Sequence, residues 1–418
     1  MNETTLIHFS GPDKPGLTAV LTSLLAEYDA RVLDIGQAVV HETLALGLLI
    51  EVPRGDRFVS LKNALRAKSE ALGLHVRFTP VSRQAFEHWV AAQGKERFII
   101  TVLGRSISAG HLARVSAIIA HHGLNVDRIE RLSGRHSLAA RDSGDSNTNA
   151  CVELRVSGQA APEREMRAAL TAAAHEFTID IAFQRESIFR RNRRLFAFDM
   201  DSTLIQGEVI DELAKMAGVA GEVVRITDAA MRGELQFKES FQRRVALLRG
   251  LPEERVHSLL GSIPLVEGAE QLIGTLKILG YKTAILSGGF TFFARHVQSR
   301  LGIDYVFAND LDIVDGVVSG EVKTEIVDGP KKAQLLEQIA RQEKISLEQV
   351  VAVGDGANDL PMLSIAGMGI AFRAKPLVRE SAGHSVSYLG LDSLLYLIGV
   401  RDRDLMNMPL PAAEAAKI

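Results

Sequence analysis

The sequence predicts an α/β protein: a doubly wound, Rossmann-like core carrying a helical cap, preceded by two ferredoxin-like βαββαβ domains. Three observations lead there. The first 185 or so residues run twice through the order strand, helix, strand, strand, helix, strand. From Leu195 onward, short apolar strands alternate with helical segments, the signature of a parallel sheet. Between the first and second of those strands, a stretch at about 207–262 has helical periodicity and no strand. The expected division is 1–85, 95–185 and 190–400, with the cap inserted at about 207–262.

In the first repeat the expected strand is 4–10, followed by the turn Gly11-Pro12-Asp13-Lys14-Pro15-Gly16. Leu17, Val20, Leu21, Leu24 and Leu25 then recur at helical spacing. Strands at 31–40 and 43–52 come next. A helix carrying Phe58, Leu61, Leu65 and Leu72 leads to a strand at 75–78. The second repeat has a strand at 98–103, a turn at 104–110, a helix marked by Leu112, Val115, Ile118 and Ile119, and strands at 126–132 and 152–156. Met166 and Leu170 mark its second helix, and Ile179, Ile181 and Phe183 alternate as its last strand. The Ser/Asn/Asp/Gly-rich stretch 134–149 lacks apolar periodicity and reads as a mobile hairpin loop. Trp89 is expected to pack in the connector between the repeats. His121 and His122 end a helix, where cations are favoured, so capping is preferred to metal binding there.

Arg190, Arg191, Arg193 and Arg194 form a basic run that reads as a solvated linker. Core strands follow at 194–199, 282–286, 305–308 and 350–353. The 418 residues are 46% hydrophobic and 24% charged with a net charge of −3, an ordinary globular composition with no cationic field for nucleic acid or anionic membrane. The single cysteine, Cys151, can form neither an internal disulfide nor a cysteine-based zinc site. No basic-then-apolar leader follows Met1, and no apolar run is long enough to span a bilayer, so a cytoplasmic protein is expected.

Four segments carry chemistry. In Leu195-Phe196-Ala197-Phe198-Asp199-Met200-Asp201-Ser202-Thr203 an apolar strand ends in two carboxylates. Strand period two would set both on one side, at the carboxyl end of the first strand, where open α/β sheets bind ligands. Two such neighbours repel unless a divalent cation or a shared proton intervenes. They offer a carboxylate nucleophile with an acid/base beside it. Ser287-Gly288-Gly289 puts a hydroxyl at a strand end and lets backbone N–H groups approach an anion; a turn without function reads equally well. Lys331-Lys332 opens a helix, where a cation opposes the macrodipole unless an anion lies near, although surface lysines are the commoner case. In Gly354-Asp355-Gly356-Ala357-Asn358-Asp359 a fourth apolar strand ends in the oxygen ligands that Mg²⁺ prefers.

Together DMDST, SGG, the helix-opening lysine and GDGxND resemble the four motifs of haloacid-dehalogenase (HAD) phosphatases. Glu208 and the run Met231, Phe237, Arg243-Arg244-Val245 look like cap residues of the phosphoserine phosphatase branch. The resemblance covers roughly 194–381. It implies Asp199 as nucleophile and Asp201 as proton donor and acceptor. It further implies Mg²⁺ held by Asp199, the carbonyl of Asp201, and Asp355. The transferring phosphoryl group would be held by Ser287, Lys332 and the Gly288 N–H, with Asn358 and Asp359 in support and Lys331 as the alternative to Lys332. Glu208 would take the substrate ammonium and Arg244 its carboxylate, whereas alone each would read as a surface residue. Phosphoserine carries one cation and two anionic groups, and this set offers a partner for each.

The N-terminal repeats resemble ACT domains. Gly11 to Leu17 match their first turn, with Asp13 and Gly16 as an effector site and serine as the expected effector. Gly104-Arg105-Ser106-Ile107-Ser108-Ala109-Gly110 lacks the Asp and Pro and is longer by one. Amino-acid sensing and oligomerisation, a dimer through these domains, are both compatible with the pattern. The expected function is hydrolysis of O-phosphoserine through an aspartyl-phosphate, the last step of serine biosynthesis. The alternatives are phosphatase or phosphotransferase action on another small phosphomonoester, and an amino-acid-sensing regulatory protein with a vestigial catalytic domain.

Overall fold

The computed structural model describes residues 2–135, 149–159 and 162–406. The expected hairpin loop at 134–149 lies almost entirely outside the described residues. The chain divides into two compact units, 1–95 and 96–418.

In the first unit, β1 (Asn2–Pro12) is followed by α1 (Leu17–Glu27), β2 (Arg31–Val40), β3 (Thr43–Pro53), α2 (Asp56–Leu72) and β4 (His75–Val81). The antiparallel sheet has the order β2-β3-β1-β4. Leu17, Leu21 and Leu25 of α1 and Phe58, Leu61 and Leu65 of α2 pack against Ile7, Phe9, Leu46 and Leu48. The helical spacing picked these residues because one face of each helix must cover one face of the sheet. Gly16 starts α1 at φ 87°, a left-handed turn that favours glycine. A further helix, α3 (Arg83–Ala91), was not expected; its N-cap Ser82 accepts from the Ala85 N–H at 3.1 Å. Trp89 on α3 is 43% exposed, its ring centroid 5.8 Å from that of Phe86, which corrects the expectation that it would pack.

The second unit opens with the same fold again: β5 (Glu96–Gly104), α4 (Ala109–His121), β6 (Leu124–Arg131), β7 (Ala150–Gly158), α5 (Glu163–Phe177) and β8 (Asp180–Arg185), in the order β6-β7-β5-β8. His122 caps α4, its ring Nδ1 lying 2.8 Å from the Ile118 carbonyl.

The remaining chain forms a six-stranded parallel sheet of order β11-β10-β9-β14-β15-β16. It starts with β9 (Leu195–Phe198) at its centre. Four helices follow before the sheet resumes: α6 (Val209–Ala217), α7 (Ala220–Met231), α8 (Phe237–Ala246) and α9 (Glu253–Ser258). Then come α10 (Ala269–Ile278), β10 (Lys282–Phe290), α11 (Thr291–Leu301), β11 (Tyr305–Asn309), the hairpin β12 (Leu311–Val314) and β13 (Val317–Val322), α12 (Gly329–Gln342), β14 (Val350–Gly354), α13 (Leu360–Ile365), β15 (Met368–Phe372), α14 (Pro376–Ser381) and β16 (His384–Val386). Alternation along β9 sends Phe196 and Phe198 into one core layer and Leu195 and Ala197 into the other. With both faces covered, all four residues are buried, and the loop after the strand emerges at the carboxyl edge of the sheet.

The basic run is not a solvated linker. Arg190 and Arg193 are 3% and 6% exposed. Arg190 Nη2 sits 2.6 Å from Glu153 of β7 and its Nε donates to the Leu397 carbonyl, while Arg193 donates to the Glu348 and Gly367 carbonyls. Arg191 and Arg194 remain exposed. The run therefore ties the second βαββαβ domain to the sheet. Arg105 does the same, meeting Glu267 at 2.5 Å, as does Asp180, which accepts from the Ser387 and Tyr388 N–H groups at 2.6 and 3.0 Å. The departure of this turn from its first-repeat counterpart thus has a structural use.

Candidate active site

Asp199 follows β9 directly, its N–H donating to the Val353 carbonyl of β14. Strand periodicity does not carry on to Asp201. The chain turns, with Ser202 at φ 58° and the Thr203, Leu204 and Ile205 N–H groups all converging on the Met200 carbonyl. The two carboxylates are brought together by that turn, and not by the pleat that the spacing suggested. Asp201 Oδ1 accepts from the Val209 N–H at 2.9 Å, which ties it to the start of α6. Its other oxygen lies against Gly289, where a methyl group would come within 2.4 Å of it.

Lys332 is fully buried. Its Nζ stands 2.8 Å from Asp199 Oδ1 and 2.7 Å from Asp359 Oδ1. It reaches them from the first turn of α12, whose N-cap Asp328 accepts from the Lys331 N–H at 3.0 Å and whose second residue is Pro330. Lys331 points elsewhere, pairing with Glu325 at 2.7 Å. Burial disfavours the Lys332 ammonium, but Asp199 and Asp359 outweigh it and hold its pKa above the usual lysine value. Asp359 Oδ2 accepts from the Asp355 and Gly356 N–H groups at 3.1 and 3.0 Å, closing the loop after β14. A side chain on Gly354 would strike that carboxylate, and one on Gly356 would strike Asn358 Oδ1.

Oxygens of Asp199, Asp355 and Asp359 lie within 4.8 Å of one another. Burial, then the neighbouring Asp359, push Asp199 up to about 7; burial, then Asp199 and Asp359, push Asp355 up to about 8. Burial, then Glu208 and Asp199, raise Asp201 well above the carboxylate range. Such a cluster holds more negative charge than one ammonium offsets.

Ser287 is fully buried and lies within β10, which runs on to Phe290 with a register shift after Leu286 where the sequence suggested that the strand ended; its hydroxyl accepts from the Gly289 N–H at 2.9 Å. Phe237 of α8 covers Gly288, where a methyl would meet its ring at 2.8 Å. Arg244, also on α8, is 9% exposed, and its Nε has no hydrogen-bond partner. Burial lowers its pKa while Glu208 and Asp211 support the charge; Glu208 in turn is raised by burial and held back by Arg244. Met231 is not brought to the carboxylates: it is 59% exposed, with its Sδ 3.7 Å from Lys375 Nζ. Asp13 and Gly16 lie exposed in the first unit, on the turn between β1 and α1.

The comparisons with known proteins agree with this geometry. Residues 3–79 match the ACT domain family and residues 193–367 the haloacid dehalogenase-like hydrolase family. The chain is 40% identical over 403 residues to the phosphoserine phosphatase SerB2 of Mycobacterium tuberculosis, covering 95% of this chain and 93% of that one. It is 42% identical over 400 residues to a phosphoserine phosphatase of Streptomyces coelicolor, covering 95% and 92%. The chain belongs to the phosphoserine phosphatase family. A solved HAD family hydrolase from Salmonella enterica serovar Typhi superposes with a TM-score of 0.62 at 30% identity, covering 72% of this chain and 98% of that one.

Two further buried residues hold the site together: Thr203, the last residue of the first motif, to which the sequence gave no role of its own, and Asn309, which no motif includes. Thr203, fully buried, donates to Asp355 Oδ1 at 3.4 Å. Asn309, also fully buried, donates to the Gly288 carbonyl and accepts from the Val327 N–H, both at 2.8 Å, so it fixes the glycine loop to the segment before α12. Its position at the end of β11 was the only available pointer. In this family member a hard divalent cation fits the donor set: Asp359 is already saturated by Lys332 and two backbone N–H groups, whereas Asp199 and Asp355 keep oxygens to spare. Among the described residues no helix is long and apolar enough to cross a membrane.

Proposed function

We propose that the chain hydrolyses O-phosphoserine to serine and phosphate, with Asp199 as the nucleophile. The observation that carries this reading is the division of labour between the two Asp199 oxygens. Oδ1 accepts from the Met200 N–H and from Lys332, both at 2.8 Å, while Oδ2 has no hydrogen-bond partner among the described residues. Oδ2 attacks phosphorus as the bond to the serine oxygen breaks, and Asp201 gives that oxygen a proton. Asp201 then takes a proton from water, whose oxygen attacks phosphorus and releases phosphate from Asp199. Lys332, Ser287 and the Gly288 N–H offset charge on the phosphoryl oxygens, and Asp359, with Asn358 beside it in the loop after β14, supports the Lys332 ammonium. Asp199, the Asp201 carbonyl and Asp355 would hold Mg²⁺, which when bound polarises the phosphoryl group and neutralises its charge.

Glu208 takes the ammonium of the substrate and Arg244 its carboxylate. The unpartnered Arg244 Nε, buried on the cap helix α8, supports this assignment, as do the names of the relatives. The ACT domain at 3–79 supports a response to a free amino acid, which we assign to serine at the Asp13–Gly16 turn, in a cytoplasmic dimer formed through the ACT-like domains.

The deciding experiment is phosphate release with and without Mg²⁺ by the native chain and by Asp199→Asn. The variant should fold normally and lose turnover; steady-state activity retained by it would overturn covalent catalysis at Asp199. A kcat/KM for phosphothreonine or a nucleotide above that for phosphoserine would reassign the substrate. An Asp13→Ala chain inhibited by serine as the native chain is would remove the effector assignment.

A further inference from the structure

The seam between the second βαββαβ domain and the parallel sheet is not fully closed. Between α5 and β8 on one side and α14 and β16 on the other lies a cavity of about 580 Å³. That volume falls within the usual range for a small-molecule site. Leu170, Ile181 and Phe183 give it an apolar wall, while Arg164, Arg167 and Arg379 give it three guanidinium groups against the single carboxylate of Glu380.

These cations are poorly satisfied by the protein. Arg164 has no hydrogen bond or ion pair among the described residues. Arg379 Nε is buried without a partner, and so is Nδ1 of His384, which lines the same cavity. Arg167 donates to the Gly383 carbonyl at 2.6 Å and lies over the Phe183 ring at 5.1 Å, but Glu163 is no nearer than 3.9 Å. Buried polar groups are nearly always paired, so two orphans on one cavity wall, one of them a guanidinium N–H that can only donate, call for an outside partner. The local field agrees: burial, then Arg167 and Arg193, hold the His384 imidazole down at about 3.

We propose that this cleft binds a small organic anion, its carboxylate or phosphate group held by Arg164, Arg167 and Arg379 and its apolar part lying against Ile181 and Phe183. The site is separate from the phosphatase pocket but connected to it. Lys375, the N-cap of α14, donates its N–H to the Asp355 carbonyl at 3.4 Å and brings its Nζ to Met231 at the end of α7. A ligand that shifts α14 therefore acts on the loop carrying Asp355 and on the cap. Binding itself does not rest on the phosphatase reading.

The test is an NMR titration of the full chain labelled at histidine, with the His384 ring assigned by His384→Gln. Malonate and inorganic phosphate serve as separate probes. Each should move the His384 resonance saturably, and the tighter of the two identifies a carboxylate or a phosphate ligand. Arg379→Ala and Arg164→Ala should each weaken binding about tenfold or more, the effect of losing one charge-assisted hydrogen bond. Arg164 is exposed, so its variant keeps the test open should Arg379→Ala fold poorly, and it should leave phosphoserine turnover without added anion unchanged. A His384 resonance that neither anion moves overturns the proposal. So does one that moves with equal affinity in the native chain and both variants, since that would be binding in the phosphatase pocket felt at a distance.

Discussion

The Lys332 ammonium lies 2.8 Å from Asp199 Oδ1 with no exposure to solvent, and a second carboxylate, Asp359, grips it from the other side at 2.7 Å. A cation in the first turn of a helix opposes the macrodipole, and two buried carboxylates repel; each arrangement is tolerable only because of the other. The same three groups that stabilise one another therefore form the electrostatic centre of the site.

Lys332→Met should leave two buried carboxylates without their cation. We expect a loss of about 3 kcal/mol or more in urea unfolding, since breaking a buried pair strands an uncompensated charge. Phosphate release should fall at least ~10²-fold from loss of a donor to the transferring group.

Gly289→Ala should act through Asp201. A methyl group there would come within 2.4 Å of the Asp201 carboxylate and 3.1 Å of Ser287 Oγ. Displacing the proposed proton donor and acceptor should lower kcat by about 10²-fold with little change in the unfolding midpoint, the usual cost of losing general acid–base help. Unaltered single-turnover and dephosphorylation rates would separate Asp201 from that role.

Arg244→Ala should mainly harm substrates bearing a carboxylate. Loss of a charge-assisted contact should lower kcat/KM for phosphoserine by roughly tenfold to a hundredfold. A phosphomonoester without a carboxylate should be hydrolysed almost as before, so the ratio of the two kcat/KM values is the measurement.

Arg190→Met should destabilise the second unit more than the double change Arg190→Met with Glu153→Leu. The single variant leaves the buried Glu153 with Arg155 alone, 3.1 Å from its other oxygen, at a cost of about 2 kcal/mol, whereas an apolar pair of similar volume can replace a buried ion pair at little cost. Urea midpoints of the two variants give the comparison.

His384 should make the protein acid-sensitive. Its folded-state pKa of about 3 lies below the ordinary 6.5, so the unfolded chain binds more protons between those values. Stability is complete above pH 6.5 and is lost as the pH falls through it, by up to about 2 kcal/mol at pH 5. His384→Gln, with no titrating group facing Arg167 and Arg193, should show a smaller drop in thermal midpoint between pH 7.5 and 5.

Much of this could be read in the chain before folding. The apolar spacing of Leu17, Leu21 and Leu25, and the alternation along 195–198, locate helices and strands because burial on one face leaves a period in the sequence. The four candidate site segments were legible because each is a run of neighbouring residues at or near a strand or helix end. Single residues fared worse. Asn309 joins two loops 21 and 18 positions away, and nothing adjacent to it announces that. Two of four arginines in the basic run are buried against acceptors far off in sequence, Glu153 and the carbonyls of Glu348, Gly367 and Leu397.

By itself, then, the sequence determined the order of elements, the repeated N-terminal fold and the candidate catalytic residues, because local periodicity and short motifs depend only on neighbours along the chain. Tertiary structure decided which lysine enters the site, how Asp201 turns toward Asp199, and that the second repeat and the parallel sheet form one body with an anion-suited cleft in the seam. Those outcomes depend on which distant groups share a desolvated space, where a charge must find its partner and an unmatched one marks a place for a ligand.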